Sequence, residues 1–252
     1  MSDHGKVNRL GLLAACGFFA LLFLGIANPA NAKMKVLIFC KTAGFHHASI
    51  AAGVKAIEKL GVENNFDVDS TTDSRKFTYE NLKRYAAVIF LSTTHDVLND
   101  EQKKAFIKYI ESGGGFAGVH AATDTEYGWQ WYGNLVGAYF DSHPAQQDAI
   151  IDVQDTTSAA TSFLPRHWKR FDEWYNFKWI SPNLHVLLTI DENSYKGGKN
   201  AGYHPMAWYH TYDGGRAFYT ELGHSDESYA DPLYLRHLLA GIEYAMGRPH
   251  RM

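Results

Sequence analysis

Residues 113–124 read Gly-Gly-Gly-Phe-Ala-Gly-Val-His-Ala-Ala-Thr-Asp, and this run decides how the chain folds. Phe116 to Val119 is short, apolar and continuous, as a strand buried on both faces must be. A glycine stop precedes it. Gly-x-His followed by small residues reads as a sharp strand-to-helix turn, where small neighbours let the backbone approach a ligand. Upstream, Asn99 with Gln102 three residues on is a capping-box pattern, and Phe106, Ile107 and Ile110 form the apolar face of the helix it opens. Tyr85 to Leu91 and Met34 to Cys40 are further buried strands, with a weaker one at Phe66 to Val68. Between them Ile50, Val54, Ile57 and Leu60 recur at helical spacing over Ser49 to Leu60, with Gly61 as the expected stop. Strand alternating with helix predicts an α/β, doubly wound, mostly parallel sheet with right-handed crossovers.

Downstream the pattern is less regular. Residues 149–153, 186–190, 206–212 and 216–221 read as strands, the last two joined as a hairpin across Asp213-Gly214-Gly215. Asp231-Pro232 opens a closing helix that runs to Met246.

The first 32 residues have the layout of an export signal. Lys6 and Arg9 form a basic head, Leu10 to Ile26 is entirely apolar or Gly, and Pro29-Ala30-Asn31-Ala32 carries the small-x-small pattern of a cleavage site. Cleavage is expected after Ala32, leaving one domain over 33–252 in the periplasm or secreted, with no stable membrane span. Retained, the same run would be an anchor. Of the two cysteines, Cys16 lies in that run, so the mature chain holds only Cys40 and closes no internal disulfide. A charged fraction of 20% and a net charge of -3 give no surface for a polyanion, so nucleic acid is not an expected partner.

Aromatic residues make up 14% of the chain and there are thirteen histidines, more than a core needs, mostly in loops after apolar runs. Gly44-Phe45-His46-His47 follows the first strand, at the sheet edge where α/β proteins bind ligands. His46 or His47 should face that crevice, and His47 is the better candidate for a mere helix cap. No phosphate-loop glycine pattern accompanies them, which argues against a nucleotide. The elbow carries His120 but no Ser or Cys, so acyl-enzyme chemistry has no agent. His120 can serve as base, donor or metal ligand. Asp124, four residues on, either shares its side of the coming helix or only caps it. His143 precedes Pro144 and is held on extended backbone. Phe171-Asp172-Glu173-Trp174-Tyr175 alternates carboxylates with aromatics, a combination that holds a sugar by stacking and hydroxyl hydrogen bonds, although Trp174 and Tyr175 could equally be core. His204-Pro205 and Gly223-His224-Ser225 complete the set.

Taken in order, the Gly-Phe-His-His start, the Gly-rich His elbow, Phe-x-x-His-Pro, Asp-Glu-Trp-Tyr, His-Pro-x-x-Trp and Phe-Tyr-Thr-x-Leu-Gly-His resemble the ThuA-like (trehalose utilisation) family over about Lys35 to Gly247. The resemblance implies a flavodoxin-like sheet related to class I glutamine amidotransferases without their cysteine. It also implies a role in glycoside catabolism through 3-keto intermediates. Carried over residue by residue, it puts the cleft on His46, His120, Asp124, His143, Glu173, His204 and His224. Trp174 and Tyr175 join them as sugar contacts.

The expected partner is therefore a small sugar or keto-sugar. A keto group at C3 acidifies the C2 proton, so elimination, hydration, isomerisation or hydrolysis needs only a base, with His120 the candidate, and an acid, Glu173 or Asp124. A non-catalytic sugar-binding or accessory protein is the alternative. His46, His120, His143 and His224, with Glu173, are also ligand types for a divalent metal, Zn, Mn or Fe. Their spacing fixes no site locally, so convergence rests on the fold.

Overall fold

The computed structural model describes residues 1–2 and 33–248; the export-signal reading of residues 3–32 lies outside the described residues. Strand β1 (Met34–Phe39) leads to α1 (Ile50–Glu63) and then to β2 (Phe66–Thr71). A short α2 (Tyr79–Leu82) precedes β3 (Ala87–Leu91), and α3 (Asp100–Glu111) precedes β4 (Gly115–Val119). The capping box forms as expected: Asn99 Oδ1 accepts from Gln102 N at 3.0 Å and Asn99 N donates to Gln102 Oε1 at 2.9 Å. Gly61 does not stop α1. The helix continues to Glu63, and Gly61 instead admits Phe66 and Val68 close to its backbone.

After β4 come α4 (Gln130–Val136), β5 (Ala138–Ser142), β6 (Gln147–Val153), β7 (His167–Asp172) and β8 (Asn176–Ile180). The chain continues through β9 (His185–Ile190), β10 (Pro205–Tyr212), β11 (Gly215–Thr220) and α5 (Pro232–Ala245). Strands β5, β7 and β8 had no clear sequence signal. Strand β7 is a sheet edge whose outward residues are His167, Lys169 and Phe171, and β5 and β8 pair only with each other. Their short polar-aromatic runs become strands through partners distant in sequence.

The main sheet has the order β2-β1-β3-β4-β11-β10-β9-β6-β7. Pairing is parallel from β2 through β11 and antiparallel from β11 through β7. Two successive reversals restore direction, so β9 and β7 run the same way as β11. The carboxyl ends of β1, β4, β11 and β7 consequently lie along one edge.

Alternation in the strands feeds two cores. Val36, Ile38, Ile89 and Val119 face α1 and α5, while Leu37, Phe39, Phe90 and Phe116 face the other layer with Phe106, Tyr132 and Leu135. The glycine run is needed for packing as well as for the turn. Gly113 adopts φ +89°, and a Cβ on Gly115 would lie 1.9 Å from the carbonyl oxygen of Ala245, so α5 seats directly on β4. The hairpin turn places Asp213 and Gly214 at φ +49° and +88°, the twist that fits a two-residue connection.

Helix α5 is pinned by a buried histidine. His237 Nδ1–H donates to Ala160 O at 2.9 Å, and its Nε2 accepts from Thr220 Oγ1 at 3.2 Å. Burial disfavours the charged ring and pushes its pKa down to about 4 from 6.5. The folded state therefore binds fewer protons than the unfolded chain between these values, so this stability is complete above pH 6.5 and is lost as pH falls through 4. The urea midpoint should fall over that interval, and His237→Gln, which has no titrating ring, should flatten the decline. Parallel urea-pH series on the two proteins check it; identical slopes would deny His237 this role.

Candidate functional site

His120 follows β4 directly and adopts φ +50°, a left-handed conformation costly for a residue with a Cβ. The elbow is held by its own carbonyl, which accepts from Tyr219 Oη at 2.8 Å, and by a single 3-10 turn over His120–Asp124 in place of the expected α-helix. The ring is held as firmly. Nδ1–H donates to the carbonyl of Glu221, just past β11, at 2.7 Å. A carbonyl can only accept, so in the neutral ring the lone pair lies on Nε2. Tyr175 Oη lies 3.0 Å from that nitrogen, His224 Nδ1 3.2 Å and Glu173 Oε2 3.5 Å.

Glu173 arrives from the end of β7, and its Oε2 is also 3.2 Å from His224 Nδ1. Three potential donor atoms thus form a triangle with edges of 3.2, 3.2 and 3.5 Å. His47 from the loop after β1 supplies a fourth, all four lying within 4.8 Å of one another. Donors at about 2.1 Å from one tetrahedral ion are about 3.4 Å apart, so the triangle already has the size of a coordination face. His47 is buried and its Nδ1 has no hydrogen-bond partner, a cost that a ligand would remove. Three imidazoles and a carboxylate suit Zn, Mn or Fe.

Electrostatics follow from this crowding. Burial pushes the Glu173 carboxyl up, but hydrogen bonds and charge from His120 and His224 overcome it and hold the group far below the usual carboxylate range. Burial pulls His224 down, but Glu173, with Asp172 behind it, raises the imidazole above its ordinary value. For His47 the opposing charge of Glu173 is too weak to compensate, and burial with the neighbouring imidazoles lowers it to about 3. Beneath the cluster Glu221 is fully buried; burial and Asp172 raise its carboxyl well above the normal range, while Oε1 accepts from Tyr175 N at 3.0 Å.

The sequence-predicted residues separate clearly. His120, Glu173 and His224 come together, and Tyr175 touches His120. His46 does not join them: it is exposed, with Nδ1 3.3 Å from Thr42 Oγ1, and its neighbour His47 turns inward instead. His143 reaches Glu173 Oε1 at 3.1 Å but stands outside the four-donor group, half in solvent. Trp174 is core, its Nε1 donating to Gln147 O at 2.8 Å, because alternation along 173–175 turns it away from Glu173 and Tyr175. His204 is also structural: Nε2 meets the carbonyl of Tyr175 at 2.7 Å and Nδ1 meets Glu192 Oε1 at 2.9 Å, behind the cluster. Asp124 lines the cleft beside Phe140 and His143, accepts from Tyr127 Oη at 2.5 Å, and is raised by burial. Sequence reasoning passed over Phe45, Gln146 and Glu221. Only Phe45, beside the paired histidines, had a local signal.

The sequence profile of the ThuA family, described as trehalose utilisation, matches residues 35–245. The chain belongs to the ThuA family. That membership places it in carbohydrate metabolism. The ThuA-like protein of Bacteroides uniformis ATCC 8492 is 26% identical, with a TM-score of 0.73 over 87% of this chain and 94% of that one. The ThuA-like protein of Parabacteroides merdae ATCC 43184 has a TM-score of 0.71 at 20% identity, covering 85% and 90%. A β-galactosidase from Bacillus circulans shares the fold alone, with a TM-score of 0.57 at 12% identity over 85% of this chain and 31% of the enzyme. No curated protein matches. Among the described residues no helix is long and apolar enough to cross a membrane.

The division between site and scaffold is measurable. His204→Ala removes the partner of the buried Tyr175 carbonyl, though Glu192 keeps the Asn200 amide, and should cost about 1–3 kcal/mol. His143→Ala, at the solvent edge, should cost little; urea unfolding of both variants compares them, and equal losses would contradict the assignment.

Proposed function

We propose that this ThuA-family protein is an enzyme acting on a keto-glycoside through a divalent metal held by His47, His120, His224 and Glu173. The observation that carries the reading is the donor triangle of His120, His224 and Glu173, with buried His47, whose Nδ1 has no hydrogen-bond partner, beside it. A bound metal would polarise the sugar's keto oxygen and stabilise the negative charge that develops there. In the proposed elimination, the C2 proton passes to a base and the C1–O bond breaks. The leaving oxygen takes a proton, and the sugar keeps its C3 carbonyl with a new C1–C2 double bond. No oxidant is consumed.

The chain's own residues supply the rest. Asp124, raised by burial and lining the cleft, is the carboxyl placed to transfer a proton there, replacing His120 in the role the sequence suggested. A metal held by His120 Nε2 would leave that nitrogen unable to act as a base. Tyr175 is kept protonated by burial and the surrounding carboxylates, so its hydroxyl remains a donor for oxygen beside the cluster. Phe45 and Phe140 provide apolar faces against sugar C–H groups. The export-signal layout of the N-terminus would place this chemistry in the periplasm or outside the cell.

Protein purified without a histidine tag should retain about one equivalent of Zn or Mn, and His47→Ala or His224→Ala should lose it while His46→Ala keeps it. Chelator should abolish conversion of 3-keto-trehalose, leaving trehalose untouched throughout. Less than about a tenth of an equivalent, with conversion indifferent to chelator, would remove the metal. Tight sugar binding with no conversion under any metal would leave the non-catalytic binding function instead.

A further inference from the structure

We infer that Gln146 is a positioning residue for His224: it sets which ring nitrogen carries the proton, and its amide turns so that Oε1 accepts from Nε2–H when Nδ1 holds a metal. This rests on the reading of the cluster as a metal site and names the group that makes one of its donors available.

The three imidazoles of the cluster differ in what faces their other nitrogen. His120 Nδ1–H is held by a main-chain carbonyl, which cannot change from acceptor to donor, so the lone pair of its neutral ring stays on Nε2. His47 Nδ1 has no partner. His224 faces a side-chain amide, with Gln146 Nε2 lying 2.7 Å from His224 Nε2. An amide nitrogen only donates, so in this arrangement His224 Nε2 accepts and the ring proton is on Nδ1. That proton has acceptors at hand, Glu173 Oε2 and His120 Nε2, each at 3.2 Å. The proton that joins these three groups is therefore the one a metal must displace.

A metal on Nδ1 requires the proton to move to Nε2, a change of tautomer in which the ring neither gains nor loses a proton overall. The Gln146 amide nitrogen would then face an N–H, donor against donor. Turning the amide over puts Oε1 where Nε2 was, since its two ends are close in size, and the contact becomes a hydrogen bond from Nε2–H to Oε1. A metal-bound imidazole whose other N–H is held by an oxygen is oriented and more basic.

The freedom to turn is local to this residue. Its neighbour Gln147, the first residue of β6, is locked at both ends, Nε2 donating to the carbonyls of Ala145 and Lys196 and Oε1 accepting from Lys196 N, all at 2.9 Å. These bonds hold the backbone that carries Gln146. Gln146 itself is exposed at the rim of a chamber of about 330 Å³ that Phe45, His47 and Asp226 also line, and among the described residues its amide bonds to His224 alone. A fixed stem with a free amide can serve either tautomer without moving the ring.

The test uses zinc alone with the full chain. Gln146→Leu, which offers no acceptor and shields the ring from water, should bind zinc about tenfold or more weakly than wild type in competition with a chromophoric chelator, while its urea midpoint without metal stays unchanged. Gln146→Glu, which can only accept, should bind at least as tightly as wild type. NMR of protein carrying nitrogen-labelled histidine separates a tautomer effect from one of charge: on adding zinc, His224 should show a hydrogen-bonded Nε2–H in wild type and Gln146→Glu, and one broadened by exchange in Gln146→Leu. Equal zinc affinity in wild type and Gln146→Leu, or His224 bound to zinc through Nε2, overturns the inference while leaving the metal in place. Wild-type protein that takes up no zinc removes the metal reading itself, and this inference with it.

Discussion

The hydrogen bond from His120 Nδ1 to the carbonyl of Glu221 is the constraint on which the site depends. It joins the end of β4 to the end of its neighbour β11, and it can form only because His120 accepts a left-handed backbone at the turn. With that nitrogen committed, the other is aimed away from the sheet at His224, Glu173 and Tyr175. Strain of order 1–3 kcal/mol at one residue is offset by hydrogen bonds to both its carbonyl and its ring. A nucleophile elbow in a hydrolase uses the same geometry to display a serine; here it displays an imidazole lone pair.

Glu221 serves twice. Its main chain orients His120, and its buried side chain accepts from Tyr175 N, so the two groups that meet at 3.0 Å are positioned by one residue. His204 holds the Tyr175 carbonyl from behind, and Asp172 accepts from Glu173 N at 3.0 Å. His120 and Glu173, with Tyr175 beside them, are thus braced by groups that do not face the cleft, which is how donor atoms can be kept near one another before any ligand arrives. Burial, with like-charge crowding second, is the cost, visible in the depressed His47 and the raised Glu221.

The two cores explain why this edge is rigid. Helix α5 lies against β4 without an intervening side chain at Gly115, and His237 fastens it to Thr220 at the end of β11. The strands that lead to His120 and His224 are therefore backed directly by α5, whereas the loop of His47 and Phe45 is fastened to Thr94.

By itself the sequence determined the alternation of strand and helix, the capping box at Asn99, the hairpin at Asp213-Gly214 and the elbow at His120, because each is written in residues a few positions apart. It also named His120, Glu173 and His224, since each follows a strand or a motif recognisable locally. Which of His46 and His47 turns inward was not legible, as both follow the same strand and only the loop's attachment to Thr94, fifty positions away, sets their directions. Trp174 and His204 read like site residues for the same reason, being polar-tipped rings beside carboxylates or prolines. Tertiary structure alone decided that one is core and the other a brace. The antiparallel run from β11 to β7 was decided there too: Glu173 belongs to the far edge of the sheet, and an even number of reversals, four, brings its end of the strand back to the edge that carries His120.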